Sequence, residues 1–305
     1  MSTQSTSQSA SLVSGRHRVL KRLLRDKVFV MAASFIAVLF LVAIFAPLLI
    51  ELIGHGPNEP FRETGLTAGG VPLPPNGEFL LGTDVIGRDL LSRLIVGARV
   101  TVFVSMTCAI LSVTIGVIIG LIAGYRGGIV DLLLAGFIDM VLGLPLLVTA
   151  IALVSVYGAS FTVMIGTIVF FTWGPIGRIV RNLVVAAKSA EYVQAARVLG
   201  ASDTRIMLRE ILPNIAGQVL IYASLLIPQV IVMEASLSFL GLGVPPPTAT
   251  WGGIISENQL NYAVAWWSIL FPSFALLAAT LAFNLLGDSL RDALDPSAAN
   301  KGRVK

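Results

Sequence analysis

Few residues of this sequence have the types and the spacing that catalysis requires. A nucleotide-binding P-loop needs a Gly-Lys pair followed by Ser or Thr, but no lysine of the chain follows a glycine. His17 falls in a basic N-terminal segment and His55 in a long loop, and the chain contains neither H-E-x-x-H nor G-x-S-x-G. The one cysteine, Cys108, excludes a disulfide framework and a thiolate metal cluster. We therefore expect a chain that is not an enzyme and that holds no cofactor or metal of its own.

Two acidic residues, Asp139 and Glu234, lie inside long apolar runs. An ionised carboxylate at the centre of a bilayer costs about 2.5–3.5 kcal/mol on insertion scales, so such residues face protein or water. Glu234 lies near one end of its run, where we expect its side chain to reach the membrane surface. Asp139 lies deeper, and we expect it to pair with a neighbouring helix or with a partner subunit. Both residues are candidate intramembrane polar sites.

The composition indicates what kind of protein surrounds these residues. Hydrophobic residues make up 55% of the 305 positions, charged residues make up 12%, and the mean hydropathy is +0.86. Soluble domains carry about 25% charged residues, so this chain cannot cover its surface with polar groups. The composition excludes an ordinary soluble enzyme, a disordered chain and a nucleic-acid-binding protein. We expect an integral membrane protein.

Six apolar runs are candidates for membrane-spanning helices, which need about 20 residues each. They extend over residues 28–50, 100–125, 132–156, 161–176, 215–240 and 265–286. Between the third and the fourth run, the sequence Tyr-Gly-Ala-Ser is typical of a tight turn. Open sheet edges are excluded in lipid, and the runs are too long for barrel strands. The sequence therefore predicts an all-α, polytopic membrane protein with six transmembrane helices.

The basic residues predict the orientation of the spans, because cytoplasmic loops carry an excess of Lys and Arg. With six spans, the outer loops hold Arg62, Arg88, Arg93 and Arg99, which leaves 17 of the 21 basic residues on the inner side. Both termini are therefore expected in the cytoplasm. The predicted segments are a cytoplasmic N-terminal tail (1–27), a first transmembrane helix (28–50), a periplasmic loop (51–97), a five-helix transmembrane core (98–290) that contains a cytoplasmic loop (188–214), and a cytoplasmic C-terminal tail (291–305).

The outer loop, residues 51–97, is too long to be a simple connector. After Asp89, apolar residues at positions 90, 91, 94 and 95 share one helical face, and Ser92 and Arg93 lie off that face. The pattern predicts a short helix that lies in the interface on the outer side of the membrane. Two roles fit this loop about equally well: a solvated structural tie and a docking surface for another protein.

The 188–214 loop carries a helix-break-helix pattern. Ala195 and Ala196 form a small-residue face that allows close approach by another protein, and Gly200 permits a sharp turn. Ser202 is a suitable N-cap for a second helix. We expect that helix to end before Pro213, because proline has no N–H to donate.

A basic helix resting on anionic membrane lipid is the alternative explanation of this loop. Residues 178–213 hold six Lys and Arg against three acids, which favours contact with a negatively charged leaflet. Such a helix would not need a break in its middle. We therefore favour a loop that contacts another protein.

This loop resembles the EAA loop of ABC-importer permeases. The matching residues are Gln194-Ala195-Ala196, Gly200 and Leu212-Pro213, with Gln194 at the acidic position of the motif and Glu210 where an apolar residue is more usual. Further matches between about residue 20 and residue 296 are Leu81-Gly82-Thr83-Asp84, Gly87-Arg88-Asp89, Ser92-Arg93, Gly124-Tyr125-Arg126-Gly127-Gly128, Phe239-Leu240-Gly241-Leu242-Gly243, Pro246-Pro247-Thr248, Trp251-Gly252, Asn284-Leu285-Leu286-Gly287-Asp288, Leu290-Arg291-Asp292 and Leu294-Asp295-Pro296. Together they are similar to the C-type permease subunit of dipeptide and oligopeptide importers.

The resemblance implies a type I ABC-importer permease fold in the cytoplasmic (inner) membrane of a bacterium. It also implies a second homologous permease subunit, two ATP-binding subunits that hold ATP and Mg²⁺, and a periplasmic or lipid-anchored substrate-binding protein. Di- or oligopeptides would be the substrate. The residues that would couple this chain to an ATP-binding subunit are Gln194, Ala195, Ala196, Gly200, Leu212 and Pro213.

Other functions stay open beside this one. Permeases for nickel and for glutathione share much of the same signature. An ion-coupled secondary transporter would show paired interrupted helices and several intramembrane charges, whereas Asp139 and Glu234 are the deep candidates in this sequence. A channel or a membrane scaffold would need neither the 188–214 loop nor a partner ATPase.

Overall fold

The computed structural model describes residues 23–294. In that part of the chain every named element is a helix, and β-type contacts are limited to two isolated bridges, Leu66–Pro72 and Thr83–Asp89. This confirms the prediction of an all-α fold. The N-terminal tail up to residue 22, which includes His17, and the C-terminal tail from residue 295 lie outside the described residues.

The helices are numbered in chain order. They are α1 (Lys27–Ile44), α2 (Ala46–Ile53), α3 (Leu90–Arg126), α4 (Gly128–Gly143), α5 (Leu146–Tyr157), α6 (Phe161–Lys188), α7 (Glu191–Val198), α8 (Asp203–Phe239), α9 (Trp251–Asn258) and α10 (Trp267–Leu294). Helix α8 includes a π-helical turn, Ile206–Ile211, near its start. Helix α10 extends into the segment that the sequence predicts as the C-terminal tail.

Five helices, α1, α3, α6, α8 and α10, are long and apolar enough to cross a membrane. Helices α4 and α5 pass the same test only together, and the pair is bent by 86°. The structure therefore agrees with six spans when the bent pair is taken as one span.

The third span differs from its prediction, because residues 132–156 do not form one helix. Helix α4 ends at Gly143 and α5 begins at Leu146. The cause is Pro145, since the residue before a proline is disfavoured in the α conformation. Leu144 is accordingly extended, with φ −77° and ψ 134°.

The turn between the third and the fourth span lies where the sequence predicts it. Helix α5 ends at Tyr157, and Gly158 follows with a φ of +76°. The Ser160 hydroxyl then caps α6 by accepting a hydrogen bond from the Val163 N–H at 3.2 Å. A left-handed glycine followed by an N-cap serine thus reverses the chain within three residues.

The end of the outer loop also differs from its prediction. Helix α3 begins at Leu90, where the Asp89 carboxylate accepts a hydrogen bond from the Ser92 N–H at 3.0 Å, and it continues without a break to Arg126. Residues 90–97 are therefore the first turns of a spanning helix, and no separate interfacial helix forms there. Ser92 and Arg93, which lie off the apolar face, are buried.

Buried ion pairs explain why these polar residues are inside. Asp84 accepts a hydrogen bond from Arg88 Nε at 2.6 Å and lies 3.4 Å from Arg93 Nε. Glu257 of α9 accepts from Arg93 Nη2 at 2.9 Å and also pairs with Arg88. Each arginine therefore joins one carboxylate of the loop to one of α9. These contacts favour a structural role for the outer loop over a docking role. The contacts that tie the loop to α9 are buried, whereas the sequence predicts a solvated tie.

Helices α3 and α6 approach each other along three glycines of α3. Gly116, Gly120 and Gly124 recur every four residues and therefore share one face of the helix. A Cβ atom built on each would lie 2.8, 2.7 and 2.7 Å from the nearest atom of α6, and at the last two positions that atom is a backbone carbonyl oxygen. Small residues at this spacing allow membrane helices to pack backbone against backbone.

A side chain at Gly120 should force α3 and α6 apart. We expect Gly120→Val to destabilise the purified protein by about 1–3 kcal/mol, which is the usual cost of overpacking. The matched control is Gly217→Val in α8, because a Cβ at Gly217 meets no atom within 4 Å. Thermal unfolding in detergent measures both variants. A wild-type midpoint for Gly120→Val would contradict the close packing.

Candidate functional site

The 188–214 loop begins with α7, which ends in a Schellman turn. Gly200 has a φ of +82°, in the left-handed region that favours glycine. Its N–H donates to the Arg197 carbonyl at 3.0 Å, and the Ala201 N–H donates to the Ala196 carbonyl at 3.0 Å. These are the two hydrogen bonds of the Schellman motif. The predicted sharp turn is therefore present, and it depends on the backbone conformation of Gly200.

The second half of the loop differs in part from its prediction. The Ser202 hydroxyl caps α8 as expected, but the helix does not end before Pro213. It passes through the π-helical turn, after which the Leu212 N–H donates to the Met207 carbonyl, five residues back. Pro213 then occupies one of the first two positions of the following α-helical section, where a missing N–H is tolerated. The loop is thus continuous with the fifth span.

Tyr125, at the end of α3, fastens the loop to the spans. Its hydroxyl donates to Asp203 Oδ1 at 2.8 Å and accepts from Arg197 Nη2 at 3.4 Å. The hydrogen bond with Tyr125 raises the pKa of Arg197 above its usual value. Lys188, the last residue of α6, donates to the Tyr125 backbone carbonyl. One aromatic residue therefore connects α3, α6, α7 and the start of α8.

The predicted small-residue face is split by the structure. Ala195 is exposed, as is Gln194, whereas Ala196 packs against the core of the protein itself. Leu212 is half-buried and also packs against this core, and Pro213 is exposed. The six predicted residues therefore belong to one loop, but only some of them face outward.

Two apolar residues of the site were missed by the sequence analysis. Val198 and Leu199 are 88% and 87% exposed at the end of α7. They directly precede the left-handed Gly200, which fixes their position. A signal for them exists in the sequence, because two large apolar residues stand immediately before the glycine that ends a short, mostly polar helix.

The two intramembrane acids lie in different surroundings. Glu234 is 1% exposed and accepts hydrogen bonds from Ser238 Oγ at 2.8 Å and from Thr101 Oγ1 at 3.4 Å. It does not reach the membrane surface as expected, because these hydroxyls hold it between α3 and α8. Asp139 pairs with Arg178 of α6, which agrees with the expected pairing to a helix.

Together, the spans and the loop define a class of protein. Five spanning helices and a bent sixth span carry a rigid helix-turn-helix loop with an exposed apolar tip. This is the architecture of a polytopic membrane protein with a helical loop between two of its spans.

Comparison with known proteins identifies the family. A family model described as a binding-protein-dependent transport system inner membrane component matches residues 116–300. A second, described as the N-terminal TM domain of oligopeptide transport permease C, matches residues 15–64. The chain belongs to the family of binding-protein-dependent transport system inner membrane components. Members of this family are permease subunits of ABC transporters, so the chain is a permease subunit and not an enzyme.

Three relatives illustrate the similarity. The oligopeptide transport system permease protein OppC of Haemophilus influenzae is 40% identical over 220 residues, which cover 72% of this chain and 71% of the relative. The dipeptide transport system permease protein DppC of Bacillus subtilis is 36% identical over 278 residues, 90% of this chain and 84% of the relative. The glutathione transport system permease protein GsiD of Pectobacterium atrosepticum is 34% identical over 276 residues, 90% of this chain and 89% of the relative.

Removal of the Tyr125 hydroxyl should loosen the loop without unfolding the spans. Tyr125→Phe loses two hydrogen bonds, each worth about 1 kcal/mol. We expect faster hydrogen exchange of the backbone amides in residues 191–205. Tyr192→Phe is the matched control, because Tyr192 lies in the same loop and makes no hydroxyl hydrogen bond to the described residues. Equal exchange in Tyr125→Phe and wild type would show that Tyr125 does not fasten the loop.

Proposed function

We propose that this chain is one of two permease subunits of an ATP-driven importer of di- and oligopeptides. The proposal is supported by the names of the oligopeptide and dipeptide relatives, which cover most of this chain. It is also supported by the match of residues 15–64 to an oligopeptide permease domain. Glutathione is itself a small peptide derivative, so the glutathione relative leaves the same chemical class of substrate.

The observation that carries the coupling proposal is the exposed pair Val198 and Leu199. These two adjacent apolar side chains are held at a fixed turn, and a partner that covers them would remove their apolar area from water. We define the docking surface as Gln194, Ala195, Val198 and Leu199, which lie on α7 and its turn. This surface docks into a cleft of an ATP-binding partner subunit. That subunit would bind the ATP and Mg²⁺.

Anionic lipid fits this surface less well. Arg178 and Arg181 contribute to the basic excess of the wider segment, but they are ion-paired to acids of α4. Between residues 191 and 205, two arginines stand against two acids, which gives no net charge. A surface without net positive charge gains little from a negatively charged leaflet. The charge distribution therefore favours a protein partner over lipid.

The rest of the assembly follows from the same proposal. A second homologous permease would complete the membrane path, and a periplasmic or lipid-anchored substrate-binding protein would deliver the peptide. The complex would lie in the bacterial inner membrane with both termini of this chain in the cytoplasm, as the 17 to 4 distribution of basic residues predicts. An ion-coupled secondary transporter is less well supported, because the described residues contain one bent helix pair rather than two interrupted spans.

A charge at the docking surface should detach the ATP-binding subunits. We expect Leu199→Glu to abolish their co-purification with this chain, because a carboxylate cannot enter an apolar cleft without losing its hydration. Leu260→Glu is the matched control, since Leu260 is 90% exposed but follows α9 at a distant part of the chain. Wild-type amounts of ATP-binding subunit with Leu199→Glu would rule out this docking surface.

Peptide uptake tests the substrate. A strain that carries the complete importer should accumulate a labelled dipeptide, and a strain that lacks this chain should not. Competition by glutathione and uptake of nickel ions are measured in the same strains. Nickel uptake without peptide uptake would overturn the peptide assignment, and uptake of glutathione alone would narrow it to that one peptide derivative.

A further inference from the structure

Two ion pairs lie within the spans, between α4 and α6. Asp131 pairs with Arg181, and Asp139 pairs with Arg178. The earlier acid of α4 pairs with the later arginine of α6, so the two helices run antiparallel. The two ion pairs connect the helices like the rungs of a ladder. We name Asp131–Arg181 the end rung and Asp139–Arg178 the deep rung.

The deep rung lies further than the end rung from the start of α4 and from the end of α6. Asp139 comes eleven residues after Gly128, where α4 begins, and Arg178 comes ten residues before Lys188, where α6 ends. At a rise of about 1.5 Å per residue, both Cα atoms lie about 15 Å inside their helices. The end rung lies only about 5 Å and about 10 Å from the same helix ends, so the deep rung is the deeper of the two.

The exposure of the two rungs increases with depth. In the end rung, the side chains of Arg181 and Asp131 are 29% and 20% exposed. In the deep rung, the side chains of Arg178 and Asp139 are 51% and 65% exposed. Charged groups in contact with lipid should show the opposite order, because their cost rises toward the bilayer centre. Lipid therefore does not cover the deep rung.

The space around the deep rung is open and polar. A cavity of about 320 Å³ lies beside it and is lined by Ala135, Ile138, Asp139, Arg178, Arg181 and Asn182. On α4, Gly136 and Gly143 lie three residues before and four residues after Asp139, on the same face. A Cβ at either glycine would meet no atom within 4 Å. Neither glycine therefore places a side chain in the space next to Asp139.

The break in the third span lies five residues after Asp139, at Leu144. Non-helical backbone at membrane depth is tolerated where it is buried in protein or lines a water-filled cavity. The residues just after the break, Leu146 and Leu147, line a second cavity of about 460 Å³. The polar residues Gln229 and Asn284 also line that cavity. Open space therefore lies on both sides of the break.

We propose that the deep rung faces the water-filled translocation path, where Asp139 and Arg178 exchange their ion pair for the charged ends of a passing peptide. This inference rests on the proposed function. A free peptide carries one ammonium and one carboxylate, and the rung offers one group of each opposite sign. Burial against a partner subunit would instead remove both charges from water, and the pairing alone repays that cost poorly. Contact with the peptide is brief, because conduction requires binding weak enough to release the substrate.

Access of water to the deep rung is the first test. The complete importer, reconstituted in liposomes, carries Asp139→Cys in a Cys108→Ala background, and a charged methanethiosulfonate reagent is added. We expect modification of Asp139→Cys, and we expect saturating dipeptide to slow it several-fold. Arg126→Cys, at the exposed end of α3, is the control that should react with or without peptide. The importer with its buried Cys108 intact measures background.

Uptake by charge-neutral variants is the second test. Asp139→Asn and Arg178→Gln should each slow dipeptide uptake about tenfold, the loss expected for one charge-assisted hydrogen bond. The amount of assembled complex should not change. Asp131→Asn in the end rung is the matched control and should slow uptake less, because this pair is less exposed.

The outcomes separate this inference from the proposed function. If Asp139→Cys does not react while Arg126→Cys does, the deep rung faces lipid or a partner subunit and the inference is wrong. If Asp139→Cys reacts but dipeptide gives no protection although the wild-type importer transports it, the rung does not contact the substrate. If the wild-type importer transports no peptide, the proposed function fails, and the labelling still decides whether water reaches the rung.

Discussion

Helices α3 and α6 can pack backbone against backbone because Gly116, Gly120 and Gly124 place no side chain between them. This contact determines where the functional parts of the chain lie. Tyr125 directly follows the last of these glycines, so it is held beside the end of α6. From that position it reaches both Lys188 and Asp203. A wider separation of α3 and α6 would move Tyr125 out of hydrogen-bonding distance of the loop.

Helix α6 joins the docking surface to the deep rung in one rigid element. Two residues separate its end from α7, and Arg178 lies about 15 Å back along the helix from that end. Packed helices move as units rather than deforming continuously, since their interiors are as dense as crystals. A displacement of the 188–214 loop by an ATP-binding partner would therefore shift Arg178 relative to Asp139. The same contact that fastens the loop thus connects the proposed partner to the proposed substrate path.

Local rules predict much of this structure, and long-range contacts account for most of what they miss. The membrane class, the turn before α6, the left-handed Gly200 and the Ser202 cap all follow from residue types within a few positions. The burial of Arg93 does not, because its partner Glu257 lies 164 positions away. The burial of Glu234 is missed for the same reason, because its hydrogen-bond partner Thr101 is distant in sequence. Pro145 is a different case. It ends the helix by a local effect, but counting apolar residues alone does not reveal that break.

Exposure divides the ion pairs of this chain into fixed and exchangeable ones. Arg93 is fully buried and ion-paired with two acids, so loss of one partner would strand a charge at a cost of about 3–5 kcal/mol. The deep rung is half exposed, and ion pairs in contact with water are worth about 0–1 kcal/mol. A substrate can therefore open the deep rung, whereas it cannot open the network that ties the outer loop to α9. Glu234 belongs to neither group, because two hydroxyls rather than a cation hold its carboxyl group. Charge in this permease is thus fixed where it supports the fold and open to exchange where peptides would pass.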